Sequence, residues 1–294
     1  MENREGCFEM KSIKRRITVL VNNWTNESSF LAEHGLSLLI EDCHSERIWS
    51  YLFDTGQRPE VLISNADQIG VDWLNLRAVM FSHGHYDHTG GLLGILKKLK
   101  KPVSIYYHPE AFSPRINKKR DSRNIGIPFT EASLKESGNK LVSTRSEVRL
   151  TEDIVLTGEI PRIYAIESES TAGFYREKDG EPVKDEVIDD RSLIIRYPGR
   201  GFYLICGCCH AGLLNTLEYA GKVYKNEQVL GIIGGFHMHG AGEERMRLTV
   251  DKLKEYNPSL IVPMHCTGRR ESAVLYNEFK GKVKFAGVGE IIEL

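Results

Sequence analysis

His83, His85, Asp87 and His88 lie within the six-residue stretch HGHYDH, and all four side chains are good ligands for a divalent cation. Imidazole nitrogen and carboxylate oxygen suit zinc, with iron and manganese as further candidates. His83 and His85, at i and i+2, can clasp one ion. Asp87 and His88 point differently and could serve a second ion at the ~3.5–4 Å separation of two-metal hydrolytic sites. Gly84 between the first two lets the backbone approach closely. The plainer alternative is a solvated polar turn. It fits less well, because imidazoles and a carboxylate crowded together repel or desolvate one another without a cation.

Further candidates lie far from this stretch. In ICGCCH, Cys206, Cys208, Cys209 and His210 are packed together, while Cys7, Cys43 and Cys266 are scattered. Neighbouring cysteines on one strand do not pair readily, and paired CxxC hooks are missing, so neither a disulfide framework nor a zinc ribbon is expected. His237 in GGFHMHG could line a pocket or only hold structure, and His34 is open to the same two readings. His239 reads as exposed, and His44 and His108 receive no role. Cys266-Thr267-Gly268-Arg269-Arg270 precedes a helical pattern, where free backbone N–H groups and a guanidinium could hold phosphate; a plain helix start is the alternative. Arg162 and Arg191 could bind an anion or serve as ion-pair partners. The cluster Arg115, Lys118, Lys119, Arg120 and Arg123 reads as a solvated loop. Together these features lean toward an anionic small-molecule substrate.

The elements that must position these residues follow from hydrophobic period. Ile17 to Val21, Gly35 to Ile40 and Ile48 to Phe53 read as strands, the last two joined through Cys43-His44-Ser45-Glu46, with FDTG closing tightly after them. Leu76 to Phe81, Val103 to Tyr107, Ser192 to Tyr197, Phe202 to Gly207, Val229 to Gly234 and Leu260 to Pro263 also read as strands. Pro59 to Ile69 and the Leu92, Leu93, Leu96, Leu99 face read as helices, as do stretches after His210, Gly242 and Arg270. HGHYDH therefore falls on the turn between a buried strand and a helix. Residues 109–190 lose the period and read as a lid or insertion around one core strand, RLTEDIVLTGEI, within a single domain spanning 1–294. Periodicity alone reaches only α/β.

With 294 residues and 41% hydrophobic content, the chain can bury a sizeable core. The 39 basic and 40 acidic residues nearly cancel, which excludes a general nucleic-acid binder. No apolar run approaches the ~18 residues of a membrane span, and the charged start offers no secretion segment, so a cytoplasmic protein is expected.

HGHYDH in its strand-loop-helix setting, preceded by FDTG and followed by Gly207-Cys208-Cys209-His210 and Pro263-Met264-His265, resembles the metallo-β-lactamase superfamily over nearly the whole chain. EHGLSLLIE, LTGEIPR, DDRSL, CGCCHAG, GGFHMHG and HCTG look like one branch of it. That branch comprises metal-dependent hydrolases and includes 7,8-dihydropterin-6-yl-methyl-4-(β-D-ribofuranosyl)aminobenzene-5'-phosphate synthase-like proteins. The resemblance implies an αββα sandwich, two facing mixed sheets flanked by helices, with one or two divalent ions at one edge. It implies His83 and His85 as ligands of the first ion, and Asp87, His88 and His265 as ligands of the second. Two positions depart from the family pattern. No histidine lies between His108 and His210 to complete the first set, so His210 is expected to do so. Cys208 stands where the family has a bridging aspartate, either as a thiolate bridge or as a small buried residue packing the strand. On an extended strand Cys206, Cys208 and His210 would share one face and Cys209 the other.

The favoured function is hydrolysis of an anionic substrate, a phosphoester, by water whose pKa a divalent ion lowers from about 15.7 toward ~7. Asp87 would orient the attacking oxygen, and His237 or backbone amides after His265 would stabilise the oxyanion. Thr267, Gly268, Arg162 and His34 are the substrate-binding candidates. The alternatives are a dihydropterin–arylamine condensing synthase, an iron-dependent redox protein favoured by a soft Cys208 ligand, and a non-catalytic metal-bound ligand sensor.

Overall fold

In the computed structural model, residues 14–44, 47–225 and 227–294 are described. The turn at Ser45 and Glu46, expected to join two strands, lies outside them, as does Cys7. The first sheet runs, in spatial order, Ile291–Glu293, Lys14–Val21, Ser37–His44, Arg47–Phe53, Leu76–Met80, Ser104–Tyr107 and Lys140–Ser143. The second runs Leu260–Met264, Val229–Gly235, Gly201–Cys206, Ser192–Tyr197, Ile154–Leu156 and Val148–Arg149. Both sheets are mixed. Arg47–Phe53, Leu76–Met80, Ser104–Tyr107 and Lys140–Ser143 pair parallel, as do Gly201–Cys206, Val229–Gly235 and Leu260–Met264.

Side chains alternate across each strand, so one strand feeds two apolar layers. Leu38, Ile40, Phe53 and Met80 join Leu193, Ile195, Ile205 and Val262 in the core between the sheets. Leu39, Leu52 and Val79 turn outward onto the helices Pro59–Ile69 and Leu92–Lys98. Ile194, Leu204, Ile232 and Ile261 turn outward onto Leu213–Val223, Glu243–Tyr256 and Arg269–Glu278. The result is the four-layer αββα sandwich. Burial on both faces is why the strands read as nearly unbroken apolar runs. Each fully buried Leu, Ile or Phe contributes ~1.5–3 kcal/mol.

RLTEDIVLTGEI supplies Val148–Arg149 and Ile154–Leu156 at the edge of the second sheet. The rest of 109–190 includes a small third sheet ordered Glu181–Lys184, Phe174–Lys178, Arg115–Asn117 and Arg123–Asn124. No helix among the described residues is long and apolar enough to cross a membrane.

The parallel strands end on the same edge of the sandwich. Asp54 follows Arg47–Phe53, His83 follows Leu76–Met80, and Cys208 and His210 follow Gly201–Cys206. His237 follows Val229–Gly235, and His265 follows Leu260–Met264. Stiff strands thus aim five loop segments at one place while leaving the loops free to bend.

Candidate metal centre

Two groups of donors face each other at this edge. In the first, His83 Nε2 lies 2.8 Å from His85 Nδ1 and 3.2 Å from His210 Nε2. In the second, His265 Nε2 lies 3.2 Å from His88 Nε2 and 3.4 Å from Asp87 Oδ2. Cys208 Sγ is 3.2 Å from His88 Nε2.

Hydrogen bonds behind the rings fix which nitrogen points inward. Asp54 Oδ2 accepts from the Ser82 hydroxyl at 2.6 Å, so that hydroxyl has spent its proton and accepts from His83 Nδ1–H at 2.8 Å. His88 Nδ1–H donates to Asp54 Oδ2 at 2.7 Å, and His265 Nδ1–H donates to Asn23 Oδ1 at 2.8 Å. The Nε2 atoms of His83, His88 and His265 therefore carry the ligand positions. In neutral rings these are lone pairs, and lone pairs this close repel unless a cation lies among them. His85 Nε2, on the far side of its ring, is buried with no hydrogen-bond partner. The donor set is thus the kind that holds one or two divalent ions, and it fits them.

The electrostatics differ between the two groups. Burial holds His83 and His210 well below the usual imidazole range and brings His85 down to about 3, so these rings are neutral and able to ligate. Burial also opposes charge on His88, but Asp54 and Asp87 outweigh it and raise that ring to about 9. For Asp87, burial works against ionisation, yet His88, His265 and His34 keep it a carboxylate.

The loops are sewn together by their backbones. Thr55 N–H donates to His88 O at 2.6 Å, and Ser82 N–H donates to Asp54 Oδ1 at 2.7 Å, which locks FDTG to HGHYDH. Gly84 N–H donates to Asp189 Oδ2 at 2.8 Å, and any side chain at Gly84 would overlap the Ala111 carbonyl. Asp54, Cys209, His237 and His265 adopt left-handed backbone with φ of 61°, 60°, 43° and 46°. Such strain gathers where a fold must aim side chains out of a strand end.

The geometry matches what the chain resembles by sequence and by fold. A model of the metallo-beta-lactamase superfamily matches residues 35–265. The chain belongs to that superfamily. It is 32% identical over 270 residues, covering 90% of this chain and 92% of the other, to a Methanocaldococcus jannaschii protein. That protein is named 7,8-dihydropterin-6-methyl-4-(beta-D-ribofuranosyl)-aminobenzene-5'-phosphate synthase. A crystal structure of Tm1679, a metal-dependent hydrolase of the beta-lactamase superfamily, superposes with a TM-score of 0.80 at 29% identity, covering 95% of this chain and 99% of that one. Zinc-bound PqqB from Methylobacterium extorquens superposes with a TM-score of 0.56 at 12% identity, covering 95% of this chain and 100% of that one, which is a likeness of fold.

Within this superfamily frame, several sequence-based expectations need correction. Cys206 does not share a face with Cys208. The strand ends at Cys206 and the backbone turns left-handed at Cys209, so Cys206 and Cys209 pack against the helices while Cys208 and His210 face the donors. Thr267 and Gly268 do not form an open anion cradle. The Thr267 hydroxyl accepts from Phe236 N–H at 3.0 Å, and a side chain at Gly268 would meet the Glu271 carboxylate, which would repel phosphate. Arg162 donates to the carbonyls of Ile160, Glu186 and Val187, so its guanidinium is a clamp on backbone. Arg191 is likewise buried and donates to the carbonyls of Thr157 and Ser146.

Arg115 departs furthest from its reading as part of a solvated loop. It is 1% exposed, donates through both terminal nitrogens to Asp189, and lies 2.9 Å from Asp185 through Nε. Lys118, Lys119, Arg120 and Arg123 are exposed. His34 is half-exposed; its Nδ1 accepts from Asn23, so Nε2–H donates to Asp87 Oδ2 at 3.1 Å. The His237 ring stands 4.2 Å from that of His210, and His239 is exposed. His108 is buried beside Glu159, with Nε2 3.0 Å from its carboxylate.

Asp54, Ser82, Asn23, Asp189 and Phe174 have no role in the sequence reading. Phe174, from the third sheet, packs edge-on to His85, His210 and His237 with ring centroids 5.3, 5.6 and 6.2 Å away. FDTG directly after a strand was the one local signal, because an aspartate at such a turn is well placed to receive hydrogen bonds.

Proposed function

We propose that this protein is a metal-dependent hydrolase of anionic small molecules, with phosphoesters as the substrate class. The observation that carries the reading is the convergence of His83, His85 and His210 opposite Asp87, His88 and His265, with outer hydrogen bonds orienting the rings inward. Zinc suits the imidazole-rich set best, with iron or manganese as alternatives. Divalent ions held there supply Lewis acidity and make water acidic enough to attack at neutral pH.

The chain's own residues complete the site. His34 donates to Asp87 and holds its carboxylate in orientation for the attacking water. His237, beside His210, offers a ring N–H to negative charge developing on the substrate. Phe174 walls the imidazoles on one side and keeps bulk water from them. The exposed cations Lys118, Lys119, Arg120 and Arg123 lie on or beside the third sheet that supplies Phe174, with Arg123 over the Tyr86 ring, and would draw an anion toward that side.

The test is an assay of zinc- or manganese-loaded protein against phosphomonoesters, phosphodiesters and lactones, with chelated protein and His85→Ala as controls. Phosphoester turnover that disappears in both controls supports the reading; full turnover by chelated apoprotein ends it. The synthase name of the M. jannaschii relative favours one other reading, a transferase on the same ligands. Product formed from a pterin diphosphate and an aminobenzene ribotide, without phosphoester hydrolysis, would move the assignment there.

A further inference from the structure

We infer that Arg123 binds a second, non-reacting phosphate of the substrate, so that the molecules this centre takes carry two anionic groups roughly 10 Å apart. The inference rests on the metal-dependent reading above and narrows its substrate class. Its first support is register. Phe174, whose ring meets those of His85, His210 and His237, pairs with Asn117, and Asn117 pairs with Arg123. Directly opposed residues of antiparallel strands project to the same face. Arg123 therefore shares the face that Phe174 turns toward the imidazoles, two strand spacings away, or ~10 Å. Tyr175, the next residue along, belongs to the other face, with Lys118 over its ring and Lys184 paired opposite it.

The second support is that Arg123 is fixed beside HGHYDH with its donors unspent. Tyr86 N–H donates to Ile125 O at 3.1 Å, and Ile125 N–H donates to Arg115 O at 2.9 Å, which ties this hairpin to the turn that carries His85 and Asp87. The Arg123 guanidinium lies over the Tyr86 ring, 4.8 Å from its centroid. A ring face attracts the cation but offers no lone pair to its N–H groups, which stay open to a phosphate. Arg123 is exposed, and its side chain has no carboxylate or carbonyl partner among the described residues. Arg58, Arg145 and Arg176 each pair with a glutamate instead.

The test measures, by calorimetry, the binding of two phosphonates to zinc-loaded protein. Hexyl phosphonate has one anionic end; hexamethylene bisphosphonate has two, set that far apart by its extended chain, and neither can be hydrolysed. Wild type should bind the bisphosphonate at least about tenfold more tightly, the worth of one charge-assisted contact. Lys184→Met, which removes an exposed cation from the opposite face, should keep that advantage. Arg123→Met should lose it, while its zinc content and its affinity for hexyl phosphonate stay as in wild type. Equal affinity of wild type for the two probes, or an advantage that survives in Arg123→Met, overturns the assignment and leaves metal-dependent hydrolysis standing. An advantage lost equally in Lys184→Met also overturns it, since bulk charge would then be responsible. Zinc-loaded protein that binds neither phosphonate overturns the phosphoester reading as well.

Discussion

Asp54 illustrates how much of the candidate centre rests on groups behind the donor atoms. Its two oxygens take protons from the Ser82 backbone, the Ser82 hydroxyl and His88 Nδ1. In Asp54→Asn an amide N–H replaces one acceptor and confronts another donor. Metal affinity should fall ~10–100-fold, as for other residues that support metal ligands, measurable by competition with a chelating dye. His237 makes the opposite case. His237→Phe keeps a ring against His210 but removes the donor, so turnover should drop ~10²–10³-fold with metal content unchanged. Parallel metal analysis and single-turnover kinetics separate the two; equal loss of metal would place His237 among the ligands instead.

At the level of elements, the segment 109–190 braces the HGHYDH turn from behind. Arg115 leaves the small third sheet to pair with Asp185 and Asp189, and Asp189 in turn receives the Gly84 N–H. Arg115→Met leaves buried carboxylates without their cation, which should cost ~3–5 kcal/mol in denaturant unfolding. The same change should also lower metal affinity, because Gly84 separates two ligands. A loss of stability with untouched metal binding would show that the brace and the turn are uncoupled. By contrast, Arg162→Met should destabilise by ~1–3 kcal/mol through its released carbonyls while KM stays constant.

For the whole molecule, the centre is a clasp between the halves of the sandwich. His83, His85, Asp87 and His88 come from the first sheet's edge, and Cys208, His210 and His265 from the second's. A ligand bound only by the native state stabilises it by ~4 kcal/mol when free ligand is 1,000 times Kd. Zinc should therefore raise Tm in scanning calorimetry and chelator should lower it. His83→Ala should fold but lose most of this response. A Tm indifferent to zinc and chelator would mean that the two sheets are not joined through metal.

HGHYDH was legible in the chain because its ligands are local: spacing alone puts imidazoles and a carboxylate on one turn. The strands were legible because burial on both faces leaves long apolar runs, and the αββα arrangement followed from family resemblance where periodicity stopped at α/β. The partners of Arg115, Arg162 and Thr267 were not legible, since a guanidinium looks alike whether water, a distant carbonyl or a carboxylate receives its proton, and a hydroxyl looks alike whether water or a distant backbone N–H donates to it. Nor was the facing of Cys206 and Cys208. Strand alternation is a local rule, and it lapses past Cys206, where the strand ends. Long-range contacts decide which face a side chain takes once the strand has ended, and those contacts exist only after the halves have closed on each other.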